Sequence, residues 1–165
     1  MNTNDIPYFE DEETKPQPGY PTVERAAINA IVYDPTTDTV LCLDWNKFDW
    51  KTFIIGGIED DEDPITAALR EIKEETGYCN LKLVSEFGNM RSGYFAAHKN
   101  ENRISNATNF LFELENDERD EISEPERVQH TVVWVPREEV ATFVNLSSQK
   151  YAWEKAEQLL SQPYP

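Results

Sequence analysis

Cysteine and histidine are scarce in this chain of 165 residues, which holds two of each: Cys42, Cys79, His98 and His130. Two cysteines build no disulfide framework, and two histidines with them make a zinc site of the usual Cys/His kind improbable. The expectation is a pair of reduced structural thiols. Basic residues are also few, 15 against 32 acids, for a net charge of −17. Such a surface repels nucleic-acid backbones and anionic membranes, so polymer partners are disfavoured. A small anionic ligand remains open where metal ions bridge the two. No apolar run reaches the roughly 18 residues of a membrane span. The acidic, proline-bearing N-terminus has no signal-peptide core. A cytoplasmic protein is the expectation. What is present, 39% hydrophobic and 12% aromatic residues, suits one domain with a genuine core.

Residues 1–21 read as a flexible, acidic arm, because Pro7, Pro16, Pro18 and Pro21 interrupt any periodic pattern. Residues 22–165 read as a single domain. "TVERAAINAIVYD" and "TVLCLDW", joined by the turn "DPTTD", form a hairpin, and "WKTFII" is a short strand running into Gly56-Gly57. "LKLVSEF", "GYFAAH", "NATNFLFELE" and "HTVVWV" read as further strands; "REEVATFV" and "SSQKYAWEKAEQLL" read as helices. The class is α+β, a mixed sheet between helices in an α/β/α sandwich.

One helix stands apart chemically. Asp63 is a good N-cap, Pro64 suits the first helical position, and Gly77 is the usual stop, so a helix spans Pro64 to about Thr76. On a wheel Ile65, Leu69, Ile72 and Thr76 share the core side, with Ala68 at its margin. Glu71, Glu74 and Glu75 share a second side with Ala67. Like charges about 5 Å apart repel by roughly 1 kcal/mol even in water, and acids near a helix C-terminus oppose its dipole. Local rules break in this way at functional sites. Clustered carboxylate oxygens on a rigid face suit a hard divalent cation, Mg²⁺ or Mn²⁺. Arg70, four residues from Glu74, is positioned to hold it by a charge-assisted bond.

Read outward, the helix belongs to a longer pattern: Gly56, five residues, Glu62, seven residues, then "REIKEETGY". This resembles the signature of the Nudix hydrolases, Gly-x5-Glu-x7-Arg-Glu-U-x-Glu-Glu-x-Gly-U, where U is bulky and apolar. Gly56, Glu62, Arg70, Glu71, Ile72, Glu74, Glu75 and Gly77 match, and Tyr78 holds the last apolar position. The seven fixed identities arise by chance on the order of once in 10⁸ starting points. Two departures are visible: Ile55 precedes Gly56 where the family often has glycine, and Asp61 stands where a loop glycine is common.

The resemblance implies hydrolysis, dependent on Mg²⁺ or Mn²⁺, of the diphosphate linkage in a nucleoside diphosphate derivative. It implies metal ligands at Glu71, Glu74 and Glu75, and catalytic roles for Glu71, Glu75, Arg70 and Glu62, with Glu62 holding Arg70. Gly56 and Gly57 are implied to turn the backbone tightly beside the metal. The general base is Glu71, Glu75 or an acid of the later run "NDERDEISEPERVQH", where Glu118, Glu121, Glu124 and Glu126 are available. Arg91, Arg103, Lys47 and Lys99 are the candidate phosphate cations, and Phe48, Trp50, Tyr94, Phe95 and Phe110 the aromatics available to a base. A homodimer is a further possibility within the family. Two alternatives stay open: a Nudix-like module that binds nucleotide without turnover, and an isopentenyl diphosphate isomerase, which needs a reactive cysteine that neither Cys42 nor Cys79 convincingly supplies.

Overall fold

From Ile28 to Val32 every position but Asn29 is apolar, which marks a strand covered on both faces. The computed structural model, which describes residues 5–162, puts this run inside a mixed sheet. In chain order the elements are β1 (Tyr8–Glu10), β2 (Thr22–Asp34), β3 (Thr39–Trp45), β4 (Lys51–Thr52), β5 (Ile54–Gly57), α1 (Pro64–Thr76), β6 (Leu81–Ala96), β7 (Glu101–Leu114), α2 (Glu124–Arg127), β8 (His130–Pro136), α3 (Val140–Phe143) and α4 (Ser147–Leu160). The sheet order is β1-β6-β7-β2-β3-β4, with β5 also paired to β2 and β8 to β3. β2 runs parallel to β7 and β1 parallel to β6; the other pairs are antiparallel.

Alternation along β2 divides the core into two layers. Ile28, Ala30 and Val32 pack with Phe110, Phe112 and the Ala67, Ala68 and Ile72 face of α1. Ile31 packs on the other side with Leu111, Phe53 and the Ala152, Trp153 and Ala156 face of α4. This is the expected α+β class, with helices on both faces of the sheet.

Three expectations need correction. "LKLVSEF" and "GYFAAH" are one strand, β6, whose register shifts between Leu83 and Ser85 and between Glu86 and Asn89. Gly88, at φ 105°, lies within the second shift, and a bulge there carries pairing through what reads as a break. The segment "REEVATFV" gives only a single 3-10 turn, Arg137–Glu139, followed by the four residues of α3. Residues 5–21 are not a loose arm. Tyr8–Glu10 joins the edge of the sheet beside β6, and the carbonyls of Pro7 and Pro21 accept from the N–H groups of Arg91 (2.9 Å) and Asn102 (2.8 Å). Proline lacks an N–H but keeps its carbonyl, so an extended edge segment tolerates it.

α1 begins and ends as its sequence predicts. Asp63 accepts from the Thr66 N–H (2.9 Å) and hydroxyl (3.0 Å), and Gly77 adopts φ 85° while its N–H returns to the Lys73 carbonyl. A Cβ on Gly77 would lie 2.2 Å from the Asp120 carbonyl, so the glycine also admits the loop before α2. Gly77→Ala is expected to destabilise the fold by about 1–3 kcal/mol, read from denaturant unfolding. The buried stripe of α1 differs from the expected one. Ala67, Ala68, Ile72, Glu75 and Thr76 are buried, whereas Leu69 is 39% exposed. Two alanines let the helix approach the sheet closely, and that rotates Leu69 outward and Glu75 inward.

Candidate active site

Arg70 organises the carboxylates. It donates from Nε to Glu62 Oε2 (2.8 Å) and from Nη2 to Glu62 Oε1 (2.9 Å), a two-pronged pair across the loop before α1. Nη2 also donates to the Gly57 carbonyl (2.9 Å), and Nη1 to Glu71 Oε1 (2.9 Å) and Glu74 Oε2 (3.2 Å). The hydrogen bond from Arg70 holds Glu62 down at about 2, with help from the Glu59 N–H. Asp61, in place of the loop glycine, sits at φ 63°. Asp61→Gly should therefore stabilise the protein by about 0.5 kcal/mol, because the left-handed region favours glycine; a denaturant melt reads it.

Glu75 is 6% exposed, and its Oε2 is buried without a partner among the described residues. Burial, then the charges of Glu71, Glu126 and Glu74, push its carboxyl well above the usual carboxylate range. Burial also raises Glu71, with Arg70 pulling against it. The two acids press against each other and favour a proton between them. Gly56 explains how they fit: a Cβ there would lie 2.2 Å from Glu71 Cδ and 2.6 Å from its Oε1. Gly56 and Gly57 do not form the expected tight turn; they are extended and paired with Ile28 and Ala27. A Cβ on Gly57 would meet nothing within 4 Å.

Among the described residues no three Asp, Glu, His or Cys side chains are arranged to hold a metal ion. Of the three glutamates expected to converge, Glu71 and Glu75 are set against each other in the buried part of the site, while Glu74 is half exposed and bonded to Arg70. The pair still suits a divalent cation: it offers an unpartnered buried oxygen and two acids that burial and mutual charge disfavour as free anions. Of the later acids, Glu126 on α2 is the one whose charge raises both Glu71 and Glu75. Glu118 is bonded to Asn80 (3.1 Å), and Glu121 and Glu124 are exposed.

On the other side of the glycines a cavity of about 270 Å³ opens between the sheet and α4. Ile55, Gly56 and Gly57 line it, and Gly56 also lies against the Glu71 carboxylate. Trp50 and Tyr94 form an aromatic wall, ring centroids 5.8 Å apart and nearly perpendicular, and half-exposed Phe48 packs on Trp50. Phe95 is used by Tyr20 and Phe110 by the core. Of the candidate cations Arg103 lines the cavity, bonded to Glu101 (2.9 Å). Arg91 instead holds Glu24 and Asn106, and Lys47 and Lys99 are exposed.

Two contributors escape the sequence reading. Arg25 lines the cavity and makes no ion pair among the described residues; its only mark is a charge in the exposed half of β2. Buried His130 lies with Nε2 2.8 Å from the Glu75 carbonyl, fixing the end of α1 against β8. Nothing local in the sequence announces that contact across 55 positions. Cys42 is buried and its thiol pushed up to about 12, an inert packing residue.

A capped helix bearing acids, a salt-bridged arginine loop and a glycine strand beside a cavity come together on an α/β/α sandwich. The chain belongs to the Nudix family: the NUDIX domain model matches residues 23–159. Over 34 residues it is 59% identical to Nudix hydrolase 25 of Arabidopsis thaliana, a stretch that spans 21% of this chain and 19% of that one. Among solved structures it is similar to the C. elegans Ap4A hydrolase in a binary complex, 20% identical with a TM-score of 0.64, covering 83% of this chain and 98% of that one. It is similar also to the E. coli dihydroneopterin triphosphate pyrophosphohydrolase, 19% identical with a TM-score of 0.64, covering 90% and 99%. These structural likenesses establish the shared fold.

Proposed function

We propose that this protein hydrolyses the diphosphate linkage of a small nucleoside diphosphate derivative, NDP-X to NMP and P-X, with Mg²⁺ or Mn²⁺. The observation that carries the reading is the buried Glu71–Glu75 pair behind Gly56, at the edge of an aromatic-walled cavity. When bound there, a divalent cation supplies positive charge to the diphosphate and acidifies a water molecule. Glu71 and Glu75 would hold it, with Glu74 an outer contributor.

The chain's own groups carry out the rest. Glu62 fixes Arg70, and Arg70 fixes Glu71, so the ligand oxygens are oriented before substrate arrives. Glu126 faces the pair from α2 and, beside Glu71 and Glu75, is a candidate to take the proton from water. Trp50 and Tyr94 accommodate the base, while Arg25 and Arg103 meet phosphate charge that the acidic surface otherwise repels. The substrates named for the similar structures, Ap4A and dihydroneopterin triphosphate, agree with a small phosphorylated ligand.

A screen of nucleoside triphosphates, nucleotide sugars, ADP-ribose and dinucleoside polyphosphates with Mg²⁺ or Mn²⁺ tests this, reading released nucleotide and phosphate products. Cleavage of at least one class is expected. Binding without product from any of them would leave a nucleotide-binding module instead.

A further inference from the structure

The N-terminal segment lines part of the cavity. Asp11 and Thr14 are among its lining residues, beside Ser148 and Gln149 of α4. β1 lies four strand spacings from β5, roughly 19 Å across the sheet at about 4.8 Å each. The segment therefore approaches from the sheet edge remote from Gly56 and Gly57.

It is anchored along its length. Tyr8 lies over Gly93, where a Cβ would come within 2.1 Å of its hydroxyl, and Arg91 stacks on its ring at 5.7 Å. Phe9 packs on Tyr151 of α4, ring centroids 5.2 Å apart. Asp11 accepts from the Ser147 N–H (3.1 Å) and hydroxyl (3.1 Å) across 136 positions. It supplies the N-terminal cap that Leu146, the residue before α4, has no side-chain oxygen to provide. Buried Asn102 clamps the backbone of Gln17 from both sides, accepting its N–H and donating to its carbonyl, both at 2.7 Å.

A covering for an exposed sheet edge needs β1 alone. The additional turn Glu12–Thr14, between an anchor to α4 at Asp11 and one to β7 at Gln17, adds Thr14 to the lining of the cavity instead. We propose that Asp11 and Thr14, held by the anchors of residues 8–17, form a fixed wall of the ligand cavity, with Thr14 a specificity-determining residue that limits the size of the nucleoside bound there. Asp11 and Asn102 act as positioning residues for that wall. The cavity, at about 270 Å³, lies just under the roughly 300–1,000 Å³ usual for small-molecule pockets. One nucleoside fills it, so a larger residue at position 14 competes directly with the base or ribose. This deepens the nucleotide reading above and rests on it.

The test is calorimetric titration of the full chain with adenosine, guanosine, cytidine and uridine 5′-monophosphates, beside thermal unfolding. Thr14→Trp keeps every anchor and adds bulk on the wall. Binding of the best monophosphate should weaken by about ten-fold or more, purines more than pyrimidines, with the melting temperature within about 2 °C. A loss smaller than about five-fold overturns the proposal. So does an unsubstituted chain that binds none of the four. If Thr14→Trp lowers the melting temperature, Thr14→Met decides by the same criterion. Asn102→Ala should reduce discrimination among the four bases, which a purely structural contact would leave unchanged. Failure of the hydrolase reading is distinguishable, because it appears as binding sensitive to position 14 without product from any diphosphate.

Discussion

Glu75→Gln is expected to lose turnover by about 10³-fold or more and, in the absence of divalent cation, to be more stable than the unsubstituted protein above neutral pH. The two effects have one cause. Glu75 lies in the packed stripe of α1 with Ala68 and Ile72, against Glu71 and within the field of Glu126, and its Oε2 has no partner among the described residues. Its folded pKa is raised, so between the unfolded and folded values the native protein holds a proton that the unfolded chain has released. The associated stability is complete below the ordinary carboxylate range and falls as pH rises toward and through the folded value, at about 1.4 kcal/mol per pH unit. Glutamine stays neutral and removes that slope. Denaturant unfolding in chelator at pH 5 and pH 8 reads the stability, and product release from the preferred substrate reads the turnover. Added Mn²⁺ or Mg²⁺ should stabilise the unsubstituted protein and leave Glu75→Gln unmoved. A variant that keeps its activity, or loses stability at pH 8, removes Glu75 from the proposed site.

The second large effect is expected at a residue with no functional group. Gly56→Ala should lower kcat by about 10²-fold with little change in melting temperature. The added Cβ would overlap the Glu71 carboxylate, the movable end of a side chain, rather than backbone. Glu71 therefore swings away from Glu75 and breaks its 2.9 Å bond from Arg70, while α1 and β5 stay packed. Gly57→Ala is the matched comparison. Its Cβ would face open space, and the Gly57 carbonyl that Arg70 uses is retained, so its loss should be at least about ten times smaller. Equal losses from the two substitutions would mean that strand β5, and not the seat of Glu71, sets the activity. Substrate titrations that separate kcat from KM check both.

Much of the site was legible because its signals are local. The cap at Asp63 and the stop at Gly77 follow from spacing within one loop and helix, and the Glu62–Arg70 pair is what the resemblance to the Nudix signature implied. A β2 run apolar on both faces likewise announced a sheet covered by helices on each side. The helical wheel failed at Leu69 and Glu75 because it assumes that the most apolar side faces the core. Here the small side chains of Ala67 and Ala68 set the approach of α1, and close packing outweighed hydrophobicity.

By itself the sequence determined the family pattern, the layered class, the boundaries of α1 and the identity of the acids. Tertiary structure alone decided that Glu75 is buried, that the charge of Glu126 bears on it, that Arg25 opens onto the cavity, and that Phe9 and Asp11 close against α4. Each of these depends on contacts between positions tens to more than a hundred residues apart. Such contacts are set by how the sheet and helices pack, a property that no window of neighbouring residues contains.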